Sequence, residues 1–154
     1  MSRWQWEQRR DGDMAKRERP KSFLTLGKRK NAVARAKIVA GTGKIRINGV
    51  PLSLWASEFL RMKLQEPLVI AGDVVGKVDI DVNTHGGGLA GQAEAARMAI
   101  AKSLAEFFKE EKLRQKFVKY DRNLLVFDPR RNEPHHAGGA SKRGSRRHKQ
   151  RSKR

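Results

Sequence analysis

VDIDVNTHGGGLAGQAEAARMAIAKSL (Val78–Leu104) joins two periodicities at three consecutive glycines. Val78, Ile80 and Val82 alternate with Asp79 and Asp81, the pattern of a half-buried strand. Beyond the glycines, Leu89, Ala93, Ala96, Ile100, Leu104 and Phe107 recur every three or four residues. This predicts an amphipathic helix with Glu94, Arg97, Lys102 and Glu106 outside. A strand that delivers glycines to a helix start is a sound anion site. Helix N-terminal N–H groups and the helix dipole favour negative charge, and glycine allows close approach. Gly86, Gly88 and Gly91 satisfy the dinucleotide pattern G-x-G-x-x-G. That reading also requires a second parallel strand ending in an acid about 20 positions on, where this sequence is still helical around Glu110 and Glu111. The phosphate-clamping lysine and hydroxyl of a Walker loop are absent, because Gln92 and Ala93 stand in their places. His85 with the glycines spells HGGG, but no G-x-S-x-G elbow accompanies it. Two readings remain: a tight strand-to-helix turn that binds nothing, or a contact with a macromolecular phosphate backbone.

Charge favours the second. The 154 residues carry 35 Lys+Arg against 16 Asp+Glu, a formal charge of +19. Such an excess favours nucleic acid first and an anionic membrane surface second. Residues 23–128 hold eighteen bases and eleven acids, whereas residues 129–154 hold ten and one. The latter segment lacks Leu, Ile, Val, Phe, Trp and Tyr and cannot build a core. It has no apolar face for a membrane-active helix. If about half of its bases reach phosphates, a salt slope on the order of −3 to −4 is expected. Cysteine is absent, which excludes disulfides, thiolate zinc sites and thiol nucleophiles. No apolar run approaches the roughly 20 residues needed to span a bilayer. The N-terminus has no signal core, so a cytoplasmic protein is expected.

The remaining motifs give an α+β pattern: a small sheet packed on one side by helices. Residues 1–22 read as an arm, 23–128 as a globular body and 129–154 as an extended basic tail. ARAKIVA (Ala34–Ala40) and KIRIN (Lys44–Asn48), joined by GTG, predict a hairpin. LSLWASEFLRMKL predicts a short helix ending before Glu66-Pro67, and EEKLRQKFVKYD a second one near the end of the body. Asp79 and Asp81 could be an acid/base pair, but on a sheet's polar face they are expected to pair with Lys44, Arg46, Arg35 or Lys37. His135, His136 and His148 lie among cations, a solvated or RNA-facing setting in which a metal would be repelled. No metal site, cofactor or catalytic constellation emerges. GKRKNAVAR (Gly27–Arg35) places three bases at an expected turn, a candidate phosphate contact.

GKRKNAVARAKIVAGTGKIRINGVPL, the Val78–Leu104 stretch, YDRNLLVFDPRRNEP and a basic tail ending SKR occur in that order. Together they resemble the universal small-subunit ribosomal protein nine (S-nine) family from about Leu26 to Arg154. The YDRNLLVFDPRRNEP section is similar to the archaeal and eukaryotic branch; Lys153, where that branch usually has a tyrosine, is similar to bacterial members. The resemblance implies a non-enzymatic constituent of the small-subunit head, in the ribosome of the cytoplasm. The implied fold has a small mixed sheet like the second domain of ribosomal protein S-five, with a left-handed βαβ crossover. The implied partners are small-subunit rRNA, peptidyl-site tRNA and other head proteins, with no membrane and no small-molecule substrate. Lys28, Arg29, Lys30, Arg35, Gly86, Gly87, Gly88, Gly91 and Gln92 would face rRNA from the body. Arg122, Arg130, Arg131, Lys142, Arg143, Arg146, Arg147 and Lys149 would continue that contact. Arg151, Ser152, Lys153 and Arg154 would touch the tRNA. The alternative is a free basic RNA- or DNA-binding protein of chaperone type. A nucleotide-dependent enzyme is the other rival.

Overall fold

The computed structural model describes residues 21–130. The arm expected at 1–22 therefore lies outside the described residues except for Lys21 and Ser22, and so does the tail from residue 131 onward. Five strands form one mixed sheet: β1 (Phe23–Arg29), β2 (Ala32–Ala40), β3 (Ile45–Ile47), β4 (Val50–Pro51) and β5 (Val78–His85), in the order β1-β2-β5-β3-β4. Helices α1 (Glu58–Ala71), α2 (Leu89–Phe108) and α3 (Glu111–Tyr120) complete the α+β body. The expected strand and helix around the glycines are both present, as β5 and α2. Val78, Ile80 and Val82 are buried as their alternation requires.

The hairpin expected between Ala34–Ala40 and Lys44–Asn48 does not form. β5 inserts between β2 and β3, antiparallel to the first (Ile38 opposite Ile80) and parallel to the second (Ile45 opposite Ile80). The parallel pair makes β3–α1–β5 a βαβ crossover. The GTG loop folds onto β5 instead of closing a hairpin: Gly41 N–H donates to the Lys77 carbonyl and Gly43 N–H to that of Val78, both at 3.0 Å. The hairpin is β1–β2, closed by Lys30 and Asn31 with Arg29 opposite Ala32. Lys30 takes a positive φ of 53° there.

Helix α1 starts later and ends later than its sequence suggests. Leu52–Leu54 forms a single 3₁₀ turn, Trp55 is extended and buried, and Ala56 has φ 48°. Burying the indole sends the chain from the sheet edge into the core, which delays the helix to Glu58. The helix then runs through Pro67. An interior proline forfeits one backbone bond and costs about 3 kcal/mol, but this ring is buried beside Leu64 in the core. Termination falls to Gly72, whose φ of 66° suits a glycine C-cap.

Small residues set the distance between α2 and the sheet. Ala32, Ala34 and Ala36 of β2 face Ala93, Ala95, Ala96 and Ala99 of α2, all buried. Thr25 Oγ1 donates to the Ala99 carbonyl at 2.9 Å, so strand and helix backbone nearly touch. Larger chains, including Ile38, Ile80, Ile100, Leu104 and Phe117, fill the space around this contact. Leu89 belongs to the helix but not to its buried stripe, being 60% exposed at the first turn.

The acidic residues of β5 also differ from expectation. Asp79 finds backbone rather than a cationic side chain: its Oδ1 accepts the Thr42 and Lys44 N–H groups at 2.8 and 2.9 Å. Gly41 leaves room for this carboxylate, since a Cβ there would lie 2.1 Å from its carbon. Asp81 stands opposite Lys37 and Arg46 in register, with no ion pair among the described residues. The Lys44 and Thr42 hydrogen bonds hold the Asp79 carboxyl below its usual 3.8. A lowered acid stabilises the fold fully above its unfolded pKa, and the contribution is lost as pH falls through the depressed folded value. Urea unfolding of the wild type and of Asp79→Asn should thus show a stability gap at neutral pH that narrows below about pH 4. A gap that stays constant down the acid range would show that the carboxylate contacts contribute nothing.

Candidate nucleic-acid interface

Glycines Gly86–Gly88 follow β5 and open α2, so the first-turn N–H groups of α2 have no intrahelical partners. The loop rests on the β1–β2 turn. Gly86 and Gly87 take φ values of 74° and 62°, a region that disfavours side chains. A Cβ at Gly86 would lie 2.5 Å from the Asn31 carbonyl oxygen. The glycines therefore answer a structural need as well as leaving an anion room to approach. Gln92 braces the same loop: its Nε2 donates to the Gly86 carbonyl at 3.2 Å, and its Oε1 lies 3.4 Å from Thr84 Oγ1. That side chain thereby ties the first turn of α2 to the end of β5.

Strand periodicity divides the KRK run. Lys28 points to the open face of the sheet, Arg29 to the helix face, and Lys30 stands exposed in the turn. The turn expected over this run thus holds only its last lysine, and Gly27, Lys28 and Arg29 are strand. Arg29 is committed to the protein: its Nε donates to Glu94 at 2.6 Å and its Nη1 pairs with Asp128. Burial pushes the Glu94 carboxyl up, but Arg29 and Lys63 outweigh it and hold it below its usual 4.5. Lys30, Gly87, Gly88 and Gly91 do converge, together with Asn31, on a cleft of about 350 Å³ beside the Arg29–Glu94 pair. Asn31 carries no charge and its part in this cleft has no sequence signal beyond its place in the turn.

The face of the sheet opposite the helices is open. Across it run the rows Leu24–Lys37–Asp81–Arg46, Leu26–Arg35–Asn83 and Lys28–Val33–His85. Arg35 lies on this surface, apart from the glycine cleft. Arg122 is exposed in the 3₁₀ turn Arg122–Leu124, and Arg130, largely in solvent, pairs at 3.1 Å with the Asp128 that also holds Arg29, next to the glycine cleft. The body residues singled out in the sequence occupy several surfaces. Arg131, Lys142, Arg143, Arg146, Arg147, Lys149, Arg151, Ser152, Lys153 and Arg154 lie outside the described residues.

Helix α2 leads into α3 and not into a strand parallel to β5, so the glycine loop is not the opening of a dinucleotide fold. Among the described residues no group of three or more His, Asp or Glu could hold a metal ion, and no helix is long and apolar enough to cross a membrane. The fold and the cleft thus define a strongly basic α+β protein with an anion-competent strand–glycine–helix junction. Residues 27–154 match the family described as ribosomal protein S9/S16, and the chain belongs to that family. It is 50% identical over 116 residues to the small ribosomal subunit protein uS9 of Pyrobaculum aerophilum, a match that covers 75% of this chain and 82% of that protein. The uS9 proteins of Methanococcus vannielii and Methanococcus maripaludis are 48% and 46% identical over 118 residues, 77% of this chain and 88% of each relative. All three are archaeal, in keeping with the branch that the YDRNLLVFDPRRNEP motif resembles.

Proposed function

We propose that this ribosomal protein is a structural, non-enzymatic constituent of the small subunit, and that its body and basic tail hold folded rRNA by neutralising phosphates. The observation that carries this reading is the extent of the family match, which runs from the β1 glycine through the basic segment to Arg154. Chemistry agrees with it. Ten bases against one acid in residues 129–154 suit a polyanion at close quarters, and the Lys30–glycine cleft offers a charge and unpaired N–H groups to a backbone phosphate. The end of the tail, Arg151 to Arg154, contacts peptidyl-site tRNA in this reading, and neighbouring head proteins complete the surroundings.

The test assembles small subunits with the full chain and with a chain lacking Arg151–Arg154, then sediments both in high salt. Both chains should remain at one copy per subunit, because the body and most of the tail are retained. Peptidyl-site tRNA occupancy should fall only with the shortened chain. Unchanged occupancy would remove the tRNA role. Stripping of the full chain to the top of the gradient, with other proteins left in place, would make it a loosely held basic RNA binder.

A further inference from the structure

Helix α3 carries a row of cations that the body does not use. Lys112, Lys116 and Lys119 recur at four- and three-residue spacing, on one side of the helix, and Arg122 continues the row beyond its end. All four are exposed. The row spans about 10 Å from Lys112 to Lys119 at 1.5 Å per residue. Leu113 and Phe117 anchor the helix in the core, so the row cannot turn inward.

Several cations elsewhere in the body are matched by carboxylates. Arg29 and Lys63 pair with Glu94, and Arg97 pairs with Glu66 at 2.5 Å and Asp121 at 2.9 Å. Among the described residues no carboxylate pairs with Lys112, Lys116, Lys119 or Arg122. Glu110 and Glu111 stand at the helix start, where the dipole favours them. The lysines instead neighbour one another, an arrangement that costs an isolated helix a few tenths of a kcal/mol per pair. Tyr120 lies next to the row and is 58% exposed, which leaves its ring free to stack on a base.

We propose that this face of α3 is a second RNA-backbone contact, separate from the glycine cleft. The proposal rests on the rRNA-binding reading above. Helix α3 folds back along α2, so that Asp121 just beyond its end pairs with Arg97 midway along α2, and the lysine row runs beside the half of α2 that is remote from the glycine loop. A body with two separate cationic surfaces can hold two stretches of RNA backbone in a fixed relation, which a single anion site cannot do.

The probe is purified small-subunit rRNA, titrated with the full chain over a range of KCl. Lys112→Gln/Lys116→Gln/Lys119→Gln should lower the magnitude of the log K against log salt slope by about 2, at ~0.7–0.9 per lost contact. The corresponding triple arginine variant should keep the wild-type slope, and circular dichroism should show both folded. An unchanged slope in the glutamine variant overturns the α3 contact. If a chain lacking residues 131–154 still lowers the slope in that case, the rRNA reading stands without it; if neither does, that reading falls as well. Loss of the glutamine variant from assembled subunits with its RNA slope intact would assign the row to an acidic protein neighbour, and also overturns the proposal.

Discussion

Gly27→Ala should destabilise the body by about 3 kcal/mol or more, lowering its melting temperature by roughly 12 °C or more. Gly27 is a buried residue in the middle of β1, directly under α2. A Cβ placed on it would lie 2.0 Å from the Ala95 carbonyl oxygen and 2.8 Å from the Ala99 nitrogen. Both are helix backbone, which cannot rotate aside as a side chain does. Relief requires lifting α2 off the sheet, which would break the Thr25–Ala99 hydrogen bond and open the alanine-lined contact around it. Gly76→Ala supplies the control, because nothing lies within 4 Å of a Cβ there. Thermal unfolding of the two variants should separate them widely. Similar melting temperatures would show that the helix can move away from the strand at little cost.

Asp128→Ala should cost about 2–3 kcal/mol and free the chain from Val126 onward. Asp128 is nearly inaccessible, with 7% of its surface exposed. It accepts from Arg29 Nη1, and also from the backbone N–H of Arg130 at 3.0 Å and its guanidinium at 3.1 to 3.3 Å. Arg29 in turn holds Glu94 of α2, so the carboxylate ties the exit of the body to both the sheet and a helix. The expected cost is below that of a fully buried pair because Arg29 keeps Glu94 and a quarter of its side chain reaches water. Hydrogen exchange should quicken from Val126 to Arg130 in the variant, while β1 and β2 stay protected. Uniform protection along the body and a wild-type melting temperature would show that Asp128 does not anchor this segment. The consequence reaches function through geometry: the clasp fixes where the basic tail leaves the body, beside the glycine cleft.

These two residues mark the boundary between what was legible in the sequence and what was not. Gly27 reads as part of a turn because it precedes KRK; in the fold it is a strand residue made necessary by a helix some 70 positions away. Arg29 reads as a phosphate contact because its neighbours are lysines, yet strand alternation turns it to the helix face and into a pair with Glu94 and Asp128. The hairpin expected across GTG fails for the same reason. Two alternating runs joined by a short glycine loop satisfy every local rule, but nothing local announces that β5 will fit between them.

By itself the sequence determined the elements with a clear period, the strand–glycine–helix junction, the strong positive charge and, through ordered motifs, the family. Those depend on side-chain order along the chain, with 2-residue or 3.6-residue repeats and charges that can be counted. Tertiary structure alone decided strand order, the closeness of α2 to β1, and which cations remain available. Lys28, Arg29 and Lys30 are chemically similar neighbours; packing separates them onto the open face, into an ion pair and into an exposed turn. A charge is free for a ligand only if no carboxylate from elsewhere in the chain reaches it first, and that is a property of distance in space.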